Sequence, residues 1–197
     1  MEPFKFPIYR LYPDVSKMDR AIIISDLEKN YDKCVNSHKI KNRWENQFLD
    51  IQFIPKVETI FTGAANFINK NKLGSVIVPH SGMGFFTDEF WFNIMKPGDS
   101  TGWHDHKEKA CMSGVFYLKV PENSGNLIFR VKKNQKWLYL NEEPDEGKMV
   151  LFPSNLEHAA EVNSSNEVRI SIAFNLYKLP LELKKDRQDY SMAKFYS

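Results

Sequence analysis

Between Gly74 and Lys178 the chain is a succession of short runs of β-branched and aromatic residues separated by Pro, Gly, Asn and Ser. The runs are SVIV, EFWFNIM, the segment containing His104-Asp105-His106, GVFYLKV, NLIFRV, KWLYL, KMVLF, HAAEV and VRISIAFNLY. Strands packed this closely leave no room for the helical crossovers that a parallel sheet requires. They predict a mainly β domain built as a sandwich or barrel.

Helices are expected before this region, and the polar last stretch, LELKKDRQDYSMAKFYS, reads as a peripheral tail or a short helix. Ser25-Asp26-Leu27-Glu28 has the spacing of a capping box, and KNYDKCVNSHK after it is compatible with a helix. From Pro55 to Lys70, Val57, Ile60, Phe61, Ala64, Phe67 and Ile68 recur at steps of three and four, which predicts a helix with one apolar face. That face needs a sheet to cover. With 197 residues, 42% hydrophobic, the chain can bury one substantial core, whereas two full domains would be cramped. A single domain over 1–197 is expected. It comprises an extended segment and supporting helices over 1–73, a β core over 74–178, and a polar tail over 179–197.

Twenty-seven basic against 25 acidic residues leave a net charge of +2, which argues for neither a nucleic-acid nor an anionic-membrane partner. Cys34 and Cys111 form no CxxC pair and no disulfide framework, and no long apolar run suggests a membrane span. These features predict a soluble cytoplasmic chain. They leave its oligomeric state open, a homodimer included.

The chemistry has to be sought in the histidines. On a strand, His104 and His106 point to the same side and Asp105 to the other, so two imidazoles converge. Such a pair can ligate Fe, Zn, Cu or Ni, although an exposed pair at a strand edge requires no metal. His158 follows the strand that ends at Phe152-Pro153 and offers a third nitrogen. A pair on one strand and a distant histidine on a later one is how a double-stranded β-helix, or jelly roll, assembles a three-ligand site with open positions. His38 and His80 lack such a context and read as surface or structural residues. In the final run, Arg169, Ser171, Ala173 and Asn175 alternate with Ile170, Ile172 and Phe174. The first set faces either solvent or a polar cavity, and in a cavity Arg169 could grip a carboxylate by two parallel hydrogen bonds.

HxH, a distal histidine and RxS shortly after it together resemble the iron(II)/2-oxoglutarate-dependent dioxygenases. More closely, residues 91–175 resemble a family of 2OG-Fe(II) oxygenases. The matching pieces are Trp91 and Asn93 in WFNIMKPGD, HDH, SGVFYLKVP, the strand FR, EGKMVLFPSNLEH and VRISIAFN. The resemblance implies a double-stranded β-helix, with His104, His106 and His158 as metal ligands and Arg169 with Ser171 holding the distal carboxylate of 2-oxoglutarate. Asn93 and Tyr117 are implied as further cosubstrate contacts, although Tyr117 reads first as barrel packing, and Trp91 reads as core. Fe(II), 2-oxoglutarate and O2 follow as cofactor and cosubstrates. Hydroxylation of a C–H bond in a peptide, protein residue or small molecule, with release of succinate and CO2, follows as the reaction. One departure stands out: the superfamily usually pairs His-x-Asp or His-x-Glu, and position 106 is a histidine. The metal would then have three neutral ligands.

Two other readings stay open at this level. Gly98 followed by His104-Asp105-His106, and Gly147 followed by Pro153 and His158, also approach the cupin pattern, but Glu108 does not fall where a cupin places its glutamate. A cupin-like metalloenzyme would need neither Arg169 nor Ser171. A jelly-roll binding protein without catalysis would need no metal. The glycine-rich, aromatic segment from Ser81 to Glu89 reads as a loop or a lid.

Overall fold

The computed structural model describes residues 5–37, 39–40, 43–44, 46–106 and 110–181. Strand β1 (Tyr9–Leu11) leads into helix α1 (Lys17–Lys29). Ser16 starts this helix with a reciprocal cap: its Oγ accepts from the Asp19 amide at 3.0 Å, and Asp19 Oδ2 accepts from the Ser16 amide at 3.0 Å. The helix expected after Ser25 is therefore misplaced. Ser25 lies inside α1, and Asn30 closes the helix by donating its side-chain amide to the Asp26 carbonyl at 2.9 Å. Beyond it a single 3-10 turn (Tyr31–Lys33) enters β2 (Val35–Asn36). The cap in use is Ser16, more than two turns upstream, with Asp19 completing it. His38 lies outside the described residues.

Short strands β3 (Lys39–Ile40), β4 (Arg43–Trp44) and β5 (Gln47–Phe48) come next, β3 and β4 forming a two-residue hairpin ladder. A 3-10 turn with Pro55 at its start then opens α2 (Glu58–Lys70), as the apolar periodicity predicts. Ile60, Phe61, Ala64 and Ile68 of α2 are buried, and Phe61 sets its ring against Phe90 and Phe174 at centroid distances of 5.1 and 5.7 Å. Truncating Phe61 to alanine would cost about 3 to 5 kcal/mol by the usual measure of a lost buried aromatic.

The remaining strands are β6 (Val76–Ile77), β7 (Phe90–Met95), β8 (Met112–Lys119), β9 (Leu127–Lys133), β10 (Lys136–Glu142), β11 (Met149–Pro153), β12 (Glu157–Ala160) and β13 (Arg169–Lys178). Of these, β6, β7, β8, β11 and β13 belong to one antiparallel sheet and β9, β10 and β12 to a second. The larger runs β1-β11-β8-β13-β7-β5-β2 with β6 on β13, and the smaller runs β10-β9-β12. The two sheets facing each other give the jelly roll. The segment expected to be a strand at His104 contributes only an isolated bridge, His104 to His158, at the edge of the smaller sheet.

The period of two along the strands then sorts the side chains. Phe90, Phe92, Phe116, Leu151, Ile172, Phe174 and Leu176 leave the larger sheet on one face and pack with α1 and α2. Tyr117, Leu127, Phe129, Val150, Phe152 and Leu156 fill part of the space between the sheets. Gly114 is dictated by this packing, since a Cβ there would meet the ring of the buried Phe174 and the Leu151 side chain within 2.8 Å. What remains between the sheets is a cavity. Among the described residues, no helix is long and apolar enough to cross a membrane. Of the expected tail, residues 182–197 lie outside the described part.

Candidate metal centre and cosubstrate pocket

The bridge between His104 and His158 is a full antiparallel exchange, each amide donating to the other's carbonyl at 3.0 Å. It places the two imidazoles side by side, with ring centroids 4.3 Å apart. Two residues on, the His106 amide donates to the Ser154 carbonyl at 2.7 Å, which holds the segment against the β11–β12 turn. His106 thereby lies 5.3 Å from His104 and 5.5 Å from His158, ring to ring. One nitrogen from each of the three falls within 4.8 Å of the others, and Asp105 is not part of the group. His104 and His106 come into one group although only the first of them pairs in a bridge.

Local hydrogen bonds select the tautomers. His104 Nδ1 lies 2.9 Å from the Gly102 carbonyl, and His158 Nδ1 lies 2.9 Å from the Leu156 carbonyl. A carbonyl only accepts, so each Nδ1 carries the proton and each Nε2 presents a lone pair. Burial, reinforced by the neighbouring His104 and His106, holds the His158 imidazole down to about 3, so it is neutral at ordinary pH. Three imidazoles converging in this way are a donor set for a divalent first-row metal. The site runs inward from an exposed His104 through a half-buried His106 to a buried His158.

The histidines line one cavity together with Asn93, Tyr117, Arg169 and Ser171. The register explains why. Ser171 pairs with Asn93 on β7 and with Tyr117 on β8, so the three form one row across the larger sheet, facing inward. Arg169 is one inward position further along β13, beside a register shift at Ile170/Ser171. The polar face of β13 thus borders a cavity and not solvent. The Arg169 guanidinium is held from behind: Nη1 donates to the Ser124 and Gly125 carbonyls at 3.0 and 2.7 Å, and Nη2 contacts Met95 Sδ at 2.6 Å. Gly125 has φ +82°, and a Cβ there would lie 2.6 Å from the Val162 carbonyl oxygen. Only glycine lets this loop press its carbonyl onto the arginine.

Burial pushes the Tyr117 phenol up to about 12, and the nearby Arg169 charge only partly offsets this. It therefore remains a hydroxyl donor inside the cavity. A buried arginine, a phenol, a serine and an amide on one wall, facing three imidazoles, can hold a dicarboxylate that also reaches the metal position. Trp91 is not simply core. It lines the cavity and sets its ring 5.6 Å from His106. His80 is buried at 6% exposure beside Phe61 and lies outside the histidine group, a structural residue. Residues 81–88 contribute nothing to the cavity lining, so the lid expectation finds no support there. The Glu108 position that counts against a cupin falls outside the described residues.

Sequence reading missed several lining residues. Ser113 and Val115 share the inward face of β8 with Tyr117, which the period of two would have located; Asn46 and Thr101 arrive from irregular segments that carry no periodic signal.

Solved structures with this fold include the non-heme alpha-ketoglutarate-dependent carbocyclase SnoK from nogalamycin biosynthesis, at TM-score 0.65 and 11% identity over 87% of this chain and 79% of that one. A prolyl-4-hydroxylase from Pseudomonas putida matches at TM-score 0.62 and 13% identity over 88% and 93%. A Trichoplax adhaerens prolyl hydroxylase, solved with a hypoxia-inducible-factor peptide fragment, matches at TM-score 0.62 and 13% identity over 87% and 83%. The architecture is that of the 2-oxoglutarate-dependent oxygenases. More particularly, residues 89–175 match the model of the family described as "Putative 2OG-Fe(II) oxygenase". That family implies Fe(II), 2-oxoglutarate and O2, and the matched segment contains all three histidines, Arg169 and Ser171. No curated protein matches the sequence significantly.

Proposed function

We propose that this chain is an Fe(II)- and 2-oxoglutarate-dependent dioxygenase that hydroxylates a C–H bond of a peptide residue or small molecule. The observation that carries this reading is one cavity shared by a three-imidazole group and a buried, back-anchored arginine. In it His104, His106 and His158 hold the metal through one nitrogen each, and Asp105 stays outside. Arg169, with the Ser171 hydroxyl, binds the distal carboxylate of 2-oxoglutarate, and Tyr117 and Asn93 complete the same row as hydrogen-bonding partners. When bound, Fe(II), 2-oxoglutarate and O2 supply an oxidation that releases succinate and CO2 and leaves one oxygen atom for the substrate.

The chain's own contribution is binding, orientation and exclusion of water. The Gly102 and Leu156 carbonyls orient two of the imidazoles. The Ser124 and Gly125 carbonyls aim the guanidinium. Phe129 and Phe152, beside His158 at 6.2 and 4.7 Å, keep its inner side dry. Three neutral ligands leave more positive charge at the metal than a set with a carboxylate would, which raises its hold on an anionic cosubstrate. Prolyl hydroxylases and a carbocyclase share the fold, so hydroxylation is the part of this reading that needs its own test. Anaerobic reconstitution with Fe(II) and 2-oxoglutarate should give the charge-transfer absorption of a chelated keto acid, and admitting O2 should release succinate. Screening peptides and small molecules for oxygen incorporation then decides the outcome. Absence of both 2-oxoglutarate binding and succinate would overturn the proposal.

A further inference from the structure

We infer that Ser113 is a specificity-determining residue that presents a hydrogen-bond acceptor to the substrate. It would favour molecules carrying a hydroxyl or N–H donor beside the reacting position. The inference rests on the oxygenase reading of the cavity only in calling the molecule bound there the substrate.

Its origin is a short relay of fixed polarity behind the cavity wall. Asn175 Nδ2 donates to Glu89 Oε2 at 3.0 Å, and Ser113 Oγ donates to Asn175 Oδ1 at 2.9 Å. A carboxylate offers only lone pairs, so Glu89 selects the amide orientation that turns Nδ2 toward itself and Oδ1 toward Ser113. A serine hydroxyl has one proton, and here it is committed to Oδ1. What Oγ retains is acceptor capacity. Asn175 is also held by its backbone, whose amide donates to the Glu89 carbonyl at 2.8 Å, and it pairs directly across the ladder with Ser113. Ser113 and Asn175 are buried at 3% and 2% exposure, where such a chain polarises and stiffens. Ser113 lines the cavity, whereas Glu89 and Asn175 lie beyond its lining.

Its position assigns it to the substrate and not the cosubstrate. Along the inward face of β13 the order is Arg169, Ser171, Ala173, Asn175, each step advancing about 6.6 Å. The histidines abut the middle and far part of this row: His106 touches Trp91, which pairs with Ala173, and His158 touches Phe152, which pairs with Ser113. Ser113 is thus at the end of the cavity away from Arg169. A dicarboxylate anchored on Arg169 and reaching the histidines leaves the Ser113 end to a second molecule. A donor placed there meets a lone pair; an acceptor of the same shape meets another acceptor and loses a hydrogen bond it had in water.

Cyclohexanol and cyclohexanone test this directly, since they have the same heavy-atom count and differ in donor capacity. Both are titrated by amide-resolved NMR into the protein, with Zn(II) and 2-oxoglutarate present and with both absent. Cyclohexanol should bind wild type about threefold to tenfold more tightly than cyclohexanone, with shifts at Val115 and Ala173. In Ser113→Ala the ratio should fall to about one. Glu89→Gln, which preserves volume and frees the Asn175 amide to turn, should lower the ratio even if the alanine variant folds poorly. Equal affinities in wild type, no binding of either compound, or a ratio unchanged in the variants would overturn the inference. A preference that depends on Ser113 in a protein that fails to bind 2-oxoglutarate would overturn the oxygenase reading and leave the role of Ser113 standing.

Discussion

His104 and His158 hold each other through two backbone hydrogen bonds of 3.0 Å, so the spacing of their imidazoles is set by the main chain before any metal arrives. The His106 side chain joins them in one group, and Asp105, between them, is not part of it. Alanine at any one of the three histidines should therefore sharply reduce Fe(II) stoichiometry, while Asp105→Asn keeps it near wild type. Anaerobic titration with a colorimetric Fe(II) assay checks both. Loss of metal in Asp105→Asn with retention in His106→Ala would reverse the assignment.

Arg169 should govern 2-oxoglutarate and not the metal. Removing a charged hydrogen-bond partner costs about 1.5 to 3 kcal/mol, so Arg169→Ala should weaken 2-oxoglutarate by roughly tenfold or more with Fe(II) binding intact. Arg169→Lys should recover only part of the loss, because an ammonium lacks the planar two-point fork. Anaerobic titrations followed by charge-transfer absorption give the affinities. Equal affinities in all three proteins would remove the arginine from the site.

Gly125→Ala should act on the same affinity from behind. An added methyl would collide with the Val162 and Glu161 backbone at 2.6 to 2.9 Å, in a residue already at φ +82°, and the loop would have to withdraw the carbonyl that Arg169 Nη1 uses. Weaker 2-oxoglutarate binding with unchanged Fe(II) stoichiometry is expected, together with a lower melting temperature. A variant with wild-type 2-oxoglutarate affinity would show that the loop does not aim the guanidinium.

The metal-free protein should lose stability as pH falls below the ordinary histidine range. Burial depresses the His158 pKa to about 3, so the folded state keeps it neutral while the unfolded chain protonates it below about 6.5, and burial shifts His80 in the same direction. With more protons on the unfolded state, stability rises with pH; His158 alone contributes a slope approaching about 1.4 kcal/mol per pH unit in the window below about 6.5 and above about 3. Urea denaturation of the apoprotein at pH 7.5 and 5.5 measures the slope. His158→Asn should flatten it, and an identical slope in that variant would refute the attribution.

Much of the architecture is legible in the residues alone. The period of two in VRISIAFNLY separates Ile170, Ile172 and Phe174 from Arg169, Ser171 and Ala173, and the structure sends the first set to the helices and the second to the cavity. The steps of three and four from Val57 to Ile68 likewise locate α2 and its buried face. Periodicity works there because it is a local geometric property of the backbone, expressed within a few residues. The α1 start was less legible because Ser16 and Ser25 both offer caps, and which one is used depends on what the following turn packs against.

Tertiary structure alone decided the rest. Nothing local marks the Ser124 and Gly125 carbonyls as the backing of Arg169, 45 and 44 residues away along the chain. Nor could sequence tell that Glu89 would polarise Ser113 through Asn175, since the three residues lie on or beside different strands. It predicted a strand at His104 where there is a single bridge, because one paired residue suffices once β12 supplies the partner. Sequence thus determines which side chains share a face and which chemical groups are available. The sheet register determines which of those faces meet, because cross-strand contacts form between residues far apart in the chain and leave no period in it.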